Sequence, residues 1–126
     1  MNDVIIGIGS NIDPKKNIEA AINLISASSG LIAKSKFVQT APIGFKDQDD
    51  FLNGAVRVNT GQSMDELKDQ LRKIEKTLGR KRGPNKFGPR TIDLDIILWN
   101  NEVIDDDFYG RDFIRNAVSE INPDLS

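Results

Sequence analysis

The chain contains neither cysteine nor histidine. Without cysteine there is no disulfide framework and no thiol nucleophile, and without either residue no Cys/His zinc centre. Without histidine there is no Ser-His-Asp triad and no imidazole base. Any chemistry must run on carboxylates, Arg, Lys, hydroxyls, amides and the backbone. Also missing are an apolar run of membrane-spanning length, a signal-peptide pattern before the first strand, repeats, low-complexity tracts and linkers. With 126 residues, 38% of them hydrophobic, a single domain over residues 1–126 is expected. Cytoplasm is the expected location, with no membrane partner.

The net charge of −2 hides an uneven distribution. Between Gly79 and Arg90 lie Arg80, Lys81, Arg82, Lys86 and Arg90 with no acidic residue, a segment of +5; the remainder holds 12 basic and 19 acidic residues. One basic segment on an acidic body points to a local anion site. A nucleic-acid binder would more often be basic throughout, so none is expected as a partner.

Val4-Ile5-Ile6-Gly7-Ile8 reads as a buried strand. Asp13-Pro14 reads as N-cap and first residue of a helix carrying Ile18, Ile22 and Ile25, with Gly30 as its stop. Residues 31–39 read as a second strand, 40–52 as a loop, and 55–59 as a third strand. Ser63 and Glu66 form a capping box ahead of Met64, Leu67, Leu71, Ile74 and Leu78 at helical spacing, and Gly79 ends that helix. A basic loop spans 80–90, a strand 91–99 and a final helix 112–121. The order β-α-β-β-α-β with a tail is an α+β pattern, the ferredoxin-like βαββαβ core with an additional C-terminal helix.

Three motifs carry chemistry. Gly7-Ile-Gly-Ser-Asn11 lacks the third glycine of a dinucleotide fingerprint and reads as a tight turn held by Ser and Asn; no P-loop is present. In Thr-Ile-Asp-Leu-Asp-Ile-Ile-Leu-Trp99 strand alternation puts Asp93 and Asp95 on one face, about 7 Å apart, with Leu94 and Ile96 on the other. Such a pair can be solvated or ion-paired with arginine. Beside a Gly-rich basic loop it can also hold Mg²⁺ against phosphate oxygens, with Arg taking the rest. Phe51 and Asn53 share a face at the entry to a strand; a ring beside an amide suits a flat heterocycle, or simply a core ring and a turn-stabilising amide.

Gly7-Ile-Gly-Ser-Asn11, Thr40-Ala-Pro-Ile-Gly44 with Asp47-Gln48, Phe51-Leu-Asn53, Ile74-Glu75, Gly79-Arg80 and above all Gly88-Pro-Arg-Thr-Ile-Asp-Leu-Asp95 together resemble the 6-hydroxymethyl-7,8-dihydropterin pyrophosphokinase family of folate biosynthesis, with a shortened C-terminal part. The resemblance implies a Mg-dependent transferase that moves pyrophosphate from its co-substrate ATP to the hydroxymethyl group of the pterin and releases AMP. It implies that Asp93 and Asp95 hold two Mg²⁺ ions. Arg80, Arg90 and Asp95 would be catalytic, with Asp95 orienting the attacking hydroxyl, and Arg80, Arg82, Arg90 and Arg111 would bind ATP. The pterin would lie between Phe87 and Phe113, with Asn53 on its polar edge, Thr40, Ala41 and Ile43 as wall, and Phe51 packing. A monomer is expected. Two-metal phosphoryl transfer needs positioning and electrostatic stabilisation rather than a histidine base.

After Ile104 the family pattern carries a further segment with a His-Tyr pair that contacts ATP. Here Asp105-Asp-Asp-Phe-Tyr-Gly110 leads directly to Arg111, and Tyr109 is a partial stand-in. A second reading is therefore a diverged paralogue that binds pterin or nucleotide without the same transfer.

Overall fold

The computed structural model describes residues 1–41, 47–80, 91–105 and 107–122. Strand β1 (Asn2–Ser10) is the centre of the sheet. It pairs antiparallel with β4 (Phe51–Thr60) on one side and with β5 (Asp93–Trp99) on the other. Strand β2 (Gly30–Lys34) lies beyond β4, β6 (Glu102–Val103) lies beyond β5, and β3 (Val38–Thr40) pairs with the start of β4. The order across the sheet is β2-β4-β1-β5-β6, every neighbour antiparallel.

Alternation along β1 sorts its side chains to two cores. Val4, Ile6 and Ile8 face helices α1 (Pro14–Ser26) and α2 (Met64–Thr77), where they meet Ile18, Ile25, Leu67, Leu71, Leu94 and Ile96. Ile5 faces the other way and packs with Ala55, Ile97 and Leu98 under α4 (Asp112–Ile121), which contributes Ala117, Val118 and Ile121. A short helix α3 (Asp107–Gly110) precedes α4. Consecutive residues Ile97 and Leu98 both reach this second core because the register slips between Ile5 and Ile6, leaving Ile97 as an extra residue in β5. Helices α1 and α2 therefore cover one face of the sheet over β1, β4 and β5, and α4 covers part of the other. Among the described residues no helix is long and apolar enough to cross a membrane.

The capping box at Ser63 and Glu66 forms as the sequence predicts, and Gly79 takes a left-handed φ of 92° at the end of α2. Other elements differ. Residues 31–39 are two strands rather than one. At Ser35 the hydroxyl, not the main chain, accepts from Ala55 N (2.9 Å), and the ladder breaks there before resuming in β3. Strand β4 starts at Phe51, four residues ahead of the predicted start. Asp13 precedes α1 but caps nothing with its side chain; it sits at φ 41°, and its carbonyl accepts from Asn17 N instead. Gly30 does not end α1, which closes at Ala27 in ordinary helical conformation. Gly30 opens β2 opposite Asn59, where a Cβ would overlap the Asn59 side-chain oxygen.

Candidate active site

Gly7 and Gly9 lie inside β1, not in a turn. Both point to the face that α4 covers only in part. On that face Gly9 stands opposite Asn53 on β4 and opposite Asp93 on β5, and Gly7 stands opposite Asp95. Strand pairing thus lays an amide, a bare backbone and two carboxylates side by side across three strands. Neither glycine has a positive φ, so close approach rather than backbone conformation explains them. A Cβ on Gly7 would come within 3.1 Å of Ile97, and one on Gly9 would overlap Asn53 Oδ1.

On the β4 side, Asn53 Nδ2 donates to Thr40 Oγ1 at 2.6 Å. Thr40 ends β3 directly opposite Phe51, and Ala41 follows it. The carboxamide orientation is thereby fixed, with Oδ1 toward Gly9. At the end of β1, Ser10 Oγ donates to Thr91 O (2.6 Å), and the buried Asn11 donates from Nδ2 to Gln48 Oε1 (2.8 Å) and Asp49 O (3.1 Å). These two residues tie the approaches to β4 and β5 to the same strand end.

On the β5 side the order comes from the end of α2. Gly79 N donates to Lys76 O and Arg80 N to Glu75 O, the paired bonds of a Schellman stop. That turn folds Arg80 back over its own helix. Its Nη1 donates to Glu75 Oε2 (2.5 Å) and to Asp93 Oδ1 (2.9 Å). Glu75 also accepts from Leu94 N (2.9 Å) and from Arg72 Nη1 (2.8 Å). Arg72 Nη2 in turn donates to Leu94 O (2.5 Å) and lies 3.5 Å from Asp95 Oδ1. Glu75 is 2% exposed, so the whole cluster is anchored by one buried carboxylate.

Asp93 and Asp95 are each a little under half-exposed and share one face, as strand alternation predicts, while Leu94 is fully buried on the other. Desolvation pushes Asp95 up to about 7, and the neighbouring Asp93 carboxylate adds to the rise; Arg72 opposes it. Two like charges held together with too little positive charge between them suit a divalent cation. Among the described residues no group of three acidic ligands occurs. A pair of carboxylates fits magnesium, which commonly takes one or two carboxylates and completes its shell with water and substrate phosphates.

The structure brings Thr40, Ala41, Phe51, Asn53, Arg80, Asp93 and Asp95 to one end of the sheet. Arg111 caps α4 through its carbonyl, and Phe113 lies half-buried in the first turn of that helix. Ile43, Arg82, Phe87 and Arg90 lie outside the described residues. Arg72 and the anchoring role of Glu75 escape the sequence reading. Their signal is a charged residue at 75, four residues after Leu71 on the apolar stripe of α2, with an arginine one turn before it.

The profile of the family "7,8-dihydro-6-hydroxymethylpterin-pyrophosphokinase (HPPK)" matches residues 5–123. The 2-amino-4-hydroxy-6-hydroxymethyldihydropteridine pyrophosphokinase of Haemophilus influenzae is 36% identical over 131 residues, covering 95% of this chain and 81% of the relative. The protein of the same name from Bacillus subtilis is 35% identical, covering 96% and 79%. That of Methylorubrum extorquens is 34% identical, covering 99% and 85%. With paired carboxylates on β5, Arg80 beside them at the end of α2, an oriented amide on β4 with β1 between, and a family profile matching residues 5–123, the chain belongs to the 7,8-dihydro-6-hydroxymethylpterin-pyrophosphokinase family.

Proposed function

We infer that this protein is a transferase that moves pyrophosphate from ATP to 6-hydroxymethyl-7,8-dihydropterin in folate biosynthesis, giving the pterin diphosphate and AMP. The observation that carries the reading is the row Asn53–Gly9–Asp93, in which an amide and a carboxylate stand on either side of β1; it supports a heterocycle-binding role for the first and a metal-binding role for the second. Neighbouring strands are about 4.8 Å apart, so the two half-sites lie roughly 10 Å apart. A pterin held at Asn53 can reach a polyphosphate held at Asp93 and Asp95 with its hydroxymethyl arm.

In this reading the pterin's hydroxymethyl oxygen attacks the β-phosphorus. The bond from that phosphorus to the oxygen bridging to the α-phosphate breaks, AMP leaves, and the hydroxyl proton passes to solvent. Asp93 and Asp95 would hold Mg²⁺, two ions in the full site, which would supply charge neutralisation of the triphosphate and polarisation of the transferred group. Asp95 orients the hydroxyl. Arg80, already beside Asp93, and Arg90, Arg82 and Arg111 take the remaining phosphate charge. Asn53 reads the polar edge of the pterin; Phe87 and Phe113 sandwich it; Thr40, Ala41, Ile43 and Phe51 form its wall.

The strand order supports the ferredoxin-like assignment of the core, since β1, β2, β4 and β5 correspond to the four strands of that pattern. One domain over 1–126, acting as a cytoplasmic monomer without nucleic acid or membrane, completes the proposal. The test is product analysis. With ATP, Mg²⁺ and the pterin, AMP must form in step with pterin consumption. ADP as the product, or AMP formed equally without pterin, overturns it.

A further inference from the structure

We propose that Gly9 is a positioning residue for the pterin: its missing side chain is the gap into which the Asn53 carboxamide leans, and so Gly9 sets where that amide meets the substrate. The proposal rests on the pterin-binding reading of Asn53 above. Gly9 and Asn53 are directly opposed on paired strands. A Cβ at position 9 would overlap Asn53 Oδ1, with Asn53 Cγ at 3.4 Å. Its main chain is held between β1 and β3, so the Asn53 side chain can move aside only by giving up the Nδ2 bond to Thr40 Oγ1 (2.6 Å). Even one methyl group therefore forces the amide off its hydroxyl anchor.

The effect is directional. The atoms nearest the added Cβ are Asn53 Oδ1, Asn53 Cγ and Leu52 O; Asp93, the opposite neighbour of Gly9, is not among them. A methyl group at this position strikes the pterin half of the site and spares the carboxylate half. Backbone strain does not enter, since Gly9 has no positive φ and alanine is a permitted strand residue. The Ser10–Thr91 and Asn11–Gln48 bonds that follow lie past the point of overlap. The second glycine of the Gly-x-Gly pair is thereby a feature of substrate recognition rather than of a turn or a phosphate cradle.

The experiment is a double-mutant cycle on pterin binding, read by calorimetry with saturating Mg²⁺ and a non-hydrolysable ATP analogue. Gly9→Ala should weaken the pterin by about ten-fold or more, the loss expected when a substrate hydrogen bond is misplaced. Binding of the ATP analogue alone should stay at the wild-type value, which also certifies the fold. In an Asn53→Ala background the Gly9→Ala change should add little, because nothing remains to displace. Wild-type pterin affinity in Gly9→Ala alongside weak binding in Asn53→Ala would overturn the proposal and leave the pterin reading standing. Wild-type affinity in Asn53→Ala would overturn the pterin reading of Asn53 and the proposal with it. An equal penalty from Gly9→Ala in both backgrounds, or an equal loss of nucleotide, would also overturn it.

Discussion

Arg80 meets Glu75 twice: its main-chain N donates to the Glu75 carbonyl at 3.0 Å, and its Nη1 donates to the Glu75 carboxylate at 2.5 Å. The first bond belongs to the helix stop and the second to the site, so the end of α2 and the placement of a site cation are one structural event. The Glu75 and Arg80 side chains are 3% and 10% exposed, so solvent screens the pair little.

Replacing the Glu75 carboxylate by an amide leaves Arg80 and Arg72 without the negative charge they share and puts an NH₂ donor where one of the two acceptor oxygens stood. Glu75→Gln is expected to lower stability by about 3 kcal/mol, near the low end for breaking a buried pair because Asp93 still accepts from Arg80. Urea denaturation measures it. Wild-type stability in this variant would show that Arg80 does not depend on Glu75.

Asp95 makes the metal-free fold sensitive to pH. Its carboxyl is raised to about 7, first by burial and then by Asp93. A carboxyl with a folded pKa above its unfolded value stabilises the fold fully when the pH is below the unfolded value, and that contribution fades as the pH climbs through about 7. The melting temperature of the metal-free protein should therefore fall between about pH 4 and 7 and level off above that, and fall less in Asp95→Asn. The side chain is 45% exposed, so solvent screening keeps the difference small. Scanning calorimetry at matched ionic strength decides it; a steeper fall in Asp95→Asn contradicts the assignment.

The same proton competes with a divalent cation. Magnesium binding should strengthen as the pH rises toward 7 and level off above it, and should release a proton below that point. Calorimetric titration in two buffers of different ionisation enthalpy reads the proton directly. Asp95→Asn should bind Mg²⁺ weakly and release none.

Arg90 stands three residues ahead of β5 in the sequence, and the family resemblance implies a phosphate-binding role for it. Arg90→Ala should lower turnover by a factor of ~10² or more while circular dichroism stays unchanged, as expected for loss of a group that meets charge in the transition state. Steady-state kinetics with the pterin as varied substrate measures it; intact turnover removes Arg90 from the site.

Much of this was legible from the chain. Alternation alone put Asp93 and Asp95 on one face, because Leu94 and Ile96 had to be buried. The capping box and Gly79 bounded α2 because both signals are local. Three features were not legible. The role of Gly7 and Gly9 depends on what stands across from them on two other strands, which no local pattern reveals. The break at Ser35 depends on its hydroxyl standing in for a main-chain acceptor opposite Ala55 of β4. Arg72 joins the site only because α2 packs against β5, so that its guanidinium reaches the Leu94 carbonyl.

The central claim is that a pyrophosphoryl group crosses from nucleotide to pterin at the Asp93–Asp95 face. Incubation with ATP labelled in its β-phosphate, Mg²⁺ and 6-hydroxymethyl-7,8-dihydropterin tests it most directly, with wild type and Asp95→Asn run side by side. The account predicts label in the pterin product and unlabelled AMP from the wild type, with at least about 10²-fold less transfer from the variant. Label retained in ADP, or equal transfer by both proteins, would contradict it.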